Sequence, residues 1–194
     1  MLLLAGGAAS RLPGKLELPV DGEPMLARVH RRLTAGGRPS IISAKQPLPP
    51  ALARRIEAPL VYDVETDAGP LGGLAVAAAA VRTPLVFAAA GDLPNVDAAF
   101  IDRLEAEFDR LAACGEAPDA VLPVWPDDRA EPLAALYVAE RLAAAATAAL
   151  HAGERKVMAA VATMVVARLR LGAEDESVLA NVNTQTDYDA QRRL

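Results

Sequence analysis

A succession of short apolar runs, each stopped by a glycine, an aspartate or a polar turn, limits what this chain can fold into more than any other feature. Residues 1–5 (MLLLA) run apolar and break at Gly6-Gly7. Residues 40–44, 60–63 and 84–90 follow the same form, the last ending at Gly91-Asp92. Residues 120–125, 132–138 and 164–171 read as further strands. Continuous apolar runs of this length suit strands buried on both faces. Helical stretches lie between them. Residues 24–35 put Pro24 at a first helical position and Met25, Leu26, Val29 and Leu33 on one face, and Gly36-Gly37 ends them. Residues 50–57, the alanine-rich 71–81, 97–111 capped by Asp97, 139–151, 154–163 and a short helix after Asn183 complete the pattern. Strands alternating with helices predict βαβ units, and so an α/β three-layer sandwich with a mostly parallel sheet.

Composition narrows the class further. The 194 residues suit one domain, 1–194, and are short for two. Apolar residues make up 53% and aromatics only 4%, so the core is expected to be built from Ala, Val and Leu. A net charge of −5 gives no general attraction to nucleic acid or to an anionic membrane. No run approaches the roughly 18 to 20 apolar residues of a membrane span, and the first residues lack a basic region before their apolar run. Cys114 is the single cysteine, which leaves no internal disulfide and no Cys/His set for structural zinc. The expectation is a cytoplasmic protein with neither nucleic acid nor membrane as partner. His30 and His151 read as helix surface or rim, and Cys114 as inert at a helix end.

In open parallel sheets ligands bind outside the carboxyl ends of strands, so residues just after strands are the candidates for chemistry. Leu4-Ala5-Gly6-Gly7 leads into Arg11 and Lys15. Glycines there let a backbone approach a ligand, and the two cations suit phosphate oxygens. The spacing matches neither G-x-x-x-x-G-K-[ST] nor G-x-G-x-x-G, and an ordinary surface loop is the alternative. Asp92 ends the 84–90 strand, placed either to hold a hard divalent cation or to cap a turn before Pro94. Asp63 precedes Gly69-Pro70-Leu71-Gly72-Gly73, where two glycines in a first helical turn cost about 1 kcal/mol each relative to Ala. Close approach of a ligand or dense helix–sheet packing accounts for such a cost. Asn181 and Asn183, one residue apart, present paired amides, with helix capping by Asn183 or Thr184 as the plainer use.

Together these motifs resemble the molybdenum cofactor guanylyltransferase family. L-x-G-G-x-x-S-R followed by Lys15 resembles its phosphate loop, although Arg11-Leu12-Pro13-Gly14-Lys15 is one residue shorter than usual. Gly91-Asp92-Leu93-Pro94, Gly69-Pro70-Leu71-Gly72-Gly73, the Glu131-Pro132-Leu133-Ala134-Ala135-Leu136-Tyr137 run and Asn181-Val182-Asn183-Thr184 resemble the others in order. The resemblance implies a Rossmann-like nucleotidyltransferase fold and transfer of GMP from GTP to molybdenum-molybdopterin with Mg2+. It implies nucleotide contacts from Leu4, Ala5, Gly6, Gly7, Lys15, Ser43, Asp63, Gly69 and Asp92. Arg11, Lys15 and Asp92 take the catalytic roles, with Asp92 as the metal ligand. Arg11, Gly73, Asn181 and Asn183 take the pterin. Implied partners are GTP and a molybdopterin-type cofactor, with molybdoenzymes or other cofactor-biosynthesis proteins beyond them. A cytidylyltransferase or another nucleotidyltransferase of the same superfamily is the near alternative, and a non-catalytic nucleotide-binding homologue the distant one.

Overall fold

The structure is a computed structural model and describes residues 1–6, 12–63 and 68–191. Its centre is a seven-stranded sheet. The strands are β1 (Leu2–Leu4), β4 (Ile41–Ala44), β5 (Leu60–Tyr62), β6 (Leu85–Ala90), β7 (Ala120–Val124), β8 (Ala134–Val138) and β9 (Val166–Arg170). Their spatial order is β5-β4-β1-β6-β8-β7-β9. Pairing is parallel throughout except around β8, which runs antiparallel to both β6 and β7. The mostly parallel expectation therefore holds, with one reversal that the hydrophobic pattern does not encode.

Helices cover both faces. On one side, α1 (Met25–Leu33) and α4 (Ala98–Ala113) bring Leu26, Val29, Leu33, Phe100, Ile101 and Leu104 onto Leu3, Ile42, Phe87 and Val121. The short α2 (Pro50–Ala53) adds Leu52 to that core. On the other, α3 (Gly69–Ala80), α5 (Ala139–His151) and α6 (Val157–Val161) cover Leu2, Leu4, Val86, Ala88 and Tyr137. Leu3 faces one helical layer while Leu2 and Leu4 face the other, as the two-residue period of a strand requires. Small side chains set the spacing of the second layer: Leu71 and Ala75 of α3 meet Ala146 and Ala149 of α5 and Ala160 of α6. This is the alanine-rich core that the scarcity of aromatics predicts.

Several boundaries move. The 50–57 and 154–163 stretches shorten to α2 and α6, and Pro24 is the N-cap of α1 rather than its first residue. The polar loop before α1 contains a hairpin of β2 (Pro19–Val20) and β3 (Glu23–Pro24). Asp21 and Gly22 turn it with φ of 50° and 78°, the positive angles that an Asp-Gly hairpin turn needs. Asp97 does cap α4, its carboxylate accepting the Phe100 N–H. His30 corrects the surface reading: it is buried in α1, its Nε2 2.9 Å from Ser40 Oγ, and burial lowers its pKa. His151 and Cys114 are exposed. Among the described residues no helix is long and apolar enough to cross a membrane.

After β9 the chain packs against the N-terminal half of α4, where Arg103 lies. Asp175, 1% exposed, fixes that contact. It accepts from Arg103 Nη1 at 2.5 Å and from the Gly172 N–H at 3.0 Å. Burial pushes the Asp175 carboxyl up, but the Arg103 and Gly172 hydrogen bonds and the Arg103 charge outweigh it and leave the pKa lowered. A depressed folded-state pKa contributes stability that is present above the unfolded carboxylate value of about 3.9 and lost as pH falls below it. Asp175→Asn is expected to destabilise the chain by about 1–3 kcal/mol at pH 7, given that Arg103 stays partly solvated. Denaturant unfolding at pH 7 and below pH 4 checks this: the gap between the two proteins closes on acidification.

Candidate active site

Hydrogen-bond register builds the site. Leu4 of β1 stands abreast of Ser43 of β4 and Ala90 of β6, and Ala44 stands abreast of Tyr62 of β5. The four parallel strands therefore end nearly flush, and Ala5-Gly6, Lys45, Asp63 and Gly91-Asp92 leave the sheet side by side. The ladder continues past them: Ala5 N–H donates to Ser43 O at 2.8 Å, Gly91 N–H to Leu4 O at 2.9 Å and Asp63 N–H to Ala44 O at 3.0 Å. A Cβ at Gly91 would lie 2.9 Å from both the Leu4 carbonyl and Leu26 Cδ1. Only glycine lets the chain cross β1 at that height and deliver Asp92.

Lys15 reaches the same edge from a 3-10 turn over Lys15–Glu17, entered through Gly14 at φ 68°. Its Nζ donates to Asp92 Oδ2 at 2.5 Å and to Asn183 Oδ1 at 2.9 Å. The side chains of Lys15 and Asp92 are 16% and 15% exposed, so the pair is largely shielded from water. Asn183 arrives on the returning C-terminal segment, where the Val182 N–H donates to Asp92 O at 2.9 Å. Helix α7 (Gln185–Gln191) follows, and Thr184 caps it by accepting the Asp187 N–H while Asp187 accepts the N–H groups of Asn183 and Thr184. The capping role thus falls to Thr184, which leaves the Asn183 amide for Lys15.

These groups face a cavity of about 520 Å³. Ala5, Gly6, Lys15, Gly91 and Asp92 form its polar wall, and Leu16, Pro47, Leu48, Pro49 and Leu52 its apolar one. A smaller cleft, lined by Ser43, Asp63, Gly69 and Gly73, shares Leu4, Gly6, Lys45 and Pro70 with it. The glycine pair of α3 sits here for a packing reason. A Cβ at Gly72 would come 2.4 Å from Ala68 Cβ and 2.8 Å from Asp63 Oδ2; one at Gly73 would come 2.8 Å from Ser43 Oγ. The close approach read from the sequence is therefore made by the protein's own Asp63 and Ser43.

Of the residues singled out in the sequence, Leu4, Ala5, Gly6, Lys15, Ser43, Asp63, Gly69, Gly73, Asp92 and Asn183 gather at this edge. Gly7 and Arg11 lie outside the described residues. Asn181 is exposed, Val182 is buried and Asn183 is partly buried, with the Asn183 amide oxygen accepting from Lys15. Lys45 was missed. It follows β4 directly, lines both cavities and lays its Cγ 3.4 Å from where a Gly6 Cβ would be, and the strand-end rule applied to β4 would have found it. Among the described residues no group of three or more His, Cys, Asp or Glu is gathered to hold a metal. Asp92 is nonetheless a fitting donor for Mg2+, which commonly binds through one or two carboxylates and completes its shell with substrate phosphates and water. The Lys15 contact is made to Oδ2.

The model of the MobA-like NTP transferase domain matches residues 1–167. The chain belongs to that family. It is 40% identical over 114 residues to the molybdenum cofactor guanylyltransferase of Burkholderia vietnamiensis, covering 56% of this chain and 55% of that protein. A probable molybdenum cofactor guanylyltransferase of Methanosarcina acetivorans is 33% identical over 147 residues, 70% of this chain and 62% of that one. The chain thus spans little more than half the length of the curated relatives it matches first. Among solved structures it resembles the molybdopterin-guanine dinucleotide biosynthesis protein A of Archaeoglobus fulgidus, with a TM-score of 0.78, 21% identity and coverage of 99% and 96%. It also resembles the 2-C-methyl-D-erythritol 4-phosphate cytidylyltransferase of Thermus thermophilus, with a TM-score of 0.70, 15% identity and coverage of 100% and 96%. Likeness at that identity establishes the shared nucleotidyltransferase fold. The family match ends before Asn181 and Asn183, so the contact between Asn183 and Lys15 lies partly beyond it.

The geometry of α3 decides between two opposing effects of one substitution. Gly72→Ala gains about 1 kcal/mol of helix propensity but overfills a site where the added Cβ would lie 2.4 Å from Ala68 Cβ and 2.8 Å from Asp63 Oδ2, which puts the cost at about 2–3 kcal/mol. The clash wins: the melting temperature is expected to fall by roughly 2–6 °C. A rise on thermal denaturation would mean that the cleft has room for a methyl group.

Proposed function

We propose that this chain is a Mg2+-dependent nucleotidyltransferase that joins GMP from GTP to molybdenum-molybdopterin and releases pyrophosphate. The observation that carries the reading is the meeting of Lys15 and Asp92, 2.5 Å apart, at flush strand ends beside a cavity of about 520 Å³. The names of the relatives supply the substrates. In this reading GTP lies along the edge, its base toward Ser43, Asp63 and Gly69 and its phosphates toward Gly6, Lys15 and Asp92. Guanine presents an N1–H and an exocyclic amine, and the Asp63 carboxylate is an acceptor suited to both. Gly7 and Arg11 complete the phosphate loop, while Gly73, Asn181 and Asn183 belong to the acceptor side.

A terminal phosphate oxygen of the pterin attacks the α-phosphorus of GTP in line. The bond from that phosphorus to the bridging oxygen breaks, and pyrophosphate leaves with the electron pair. No side-chain nucleophile is required, because such transfers depend on positioning and on neutralising phosphate charge. Lys15 meets the developing negative charge with an ammonium, and the Gly6 backbone allows close approach. Asp92 would hold Mg2+, which supplies further neutralisation of the phosphate oxygens.

Asp92→Asn is expected to lower turnover by about 10²-fold or more with the fold intact, since one preorganised electrostatic contact contributes about that much. Magnesium-dependent turnover near the wild-type rate would remove Asp92 from the site. A site that satisfies guanine's hydrogen bonds rejects a base that leaves them unpaired by on the order of 10³-fold. The kcat/KM for GTP should exceed those for CTP and ATP accordingly. Equal or better use of CTP with the same acceptor would instead assign a cytidylyltransferase, and no pyrophosphate release with any nucleotide would leave a binding protein.

A further inference from the structure

The Lys15 ammonium has two partners of different kinds. Asp92 Oδ2, at 2.5 Å, carries a charge that cancels that of the lysine; Asn183 Oδ1, at 2.9 Å, does not. An ammonium has three N–H donors, and among the described residues two of them have partners, which leaves one for the cavity that Lys15 lines. We propose that Asn183 is a positioning residue, holding Lys15 toward the nucleotide phosphates when Asp92 is engaged elsewhere. The inference rests on the nucleotidyltransferase reading above.

The two partners behave differently once a nucleotide enters. A carboxylate shared between lysine and a metal ion cannot hold both as tightly as it holds one. A lysine kept in place by Asp92 alone would then recover rotamer freedom, which favours its leaving the phosphates. A neutral amide oxygen restrains the ammonium and leaves its charge intact for the phosphates. Asn183 meets that need only if its own place is fixed, and three contacts fix it. The Val182 N–H donates to Asp92 O at 2.9 Å. Asp187 accepts the Asn183 N–H at 3.0 Å. The Tyr188 hydroxyl donates to Pro19 O at 2.7 Å.

Packing reinforces the same geometry. Val182 and Tyr188 share a buried cluster with Leu12, Val20 and Met25, and Leu18 packs against it. Leu12 and Leu18 flank Lys15 in the chain, so one apolar cluster locates the backbone of both the lysine and its amide partner. Asn181, two residues earlier, is exposed.

The test is GTP binding in the presence of Mg2+ and the absence of acceptor, measured by calorimetry on the full chain. Wild type, Lys15→Ala, Asn183→Leu and the double variant form a cycle. Leu keeps the branched outline of Asn, though it is larger, and removes the acceptor oxygen; Asn183→Ala serves if Leu disturbs the cluster, with melting temperatures as the check on folding. Asn183→Leu should weaken GTP by about 10-fold or more, the usual effect of losing a hydrogen bond to a charged group. The double variant should bind no worse than Lys15→Ala alone, because the amide acts only through the lysine. Unchanged GTP binding in the Asn183 variants, or losses that multiply in the double variant, would overturn the proposal. If Lys15→Ala itself binds GTP normally, the nucleotide reading has failed and this inference falls with it.

Discussion

Everything at the site depends on β1 being held between two parallel neighbours in one register. Leu4 opposite both Ser43 and Ala90 aligns the strand ends, and the backbone bonds from Ala5 to Ser43 and from Gly91 to Leu4 carry that alignment one residue further. A slip by one residue would turn Leu2 and Leu4 toward the wrong helical layer, so burial on both faces enforces the register. The same slip would move Gly91 from above the Leu4 carbonyl and take Asp92 away from Lys15. Core packing and chemistry are thus controlled by one set of hydrogen bonds.

The acidic net charge of the chain coexists with a local cation site because the cations are few and well placed. Lys15 is shielded and oriented, whereas Lys45 is exposed at the shared wall of both cavities. Around them the sequence accepts local disadvantage. Gly72 and Gly73 weaken the first turn of α3, and in exchange Asp63 and Ser43 fit directly beneath the helix. A helix with better propensity would displace the polar groups of the smaller cleft.

What could be read beforehand followed from periodicity and punctuation. Apolar runs ending at Gly6, Ala44, Asp63 and Asp92 gave the strands, and the rule that ligands sit beyond strand ends gave most of the residues gathered there. The reversal of β8 was not legible, because an antiparallel strand covered on both faces carries the same apolar signature as a parallel one. The Asp21-Gly22 hairpin was legible in principle from its turn residues, but its strands are too short to show alternation. Burial of His30 depended on Ser40 standing opposite it, and the Asn183 contact on a chain return across 168 residues. Neither leaves a mark in the local pattern.

The return of the C-terminal segment also has a consequence for the order in which the molecule is made. Lys15 is separated from Asp92 by 77 residues and from Asn183 by 168. Synthesis proceeds from the N-terminus, and contacts of such long sequence separation close late. A nascent chain emerging through β9 already contains every strand of the sheet and both charges of the ion pair. It still lacks the amide that contacts the lysine, the Val182 link to Asp92 and two of the five buried members of the apolar cluster beneath them, Val182 and Tyr188. On the ribosome, assembly of the sheet therefore precedes completion of the pocket, because the segment around Asn183 is made after every strand that it completes.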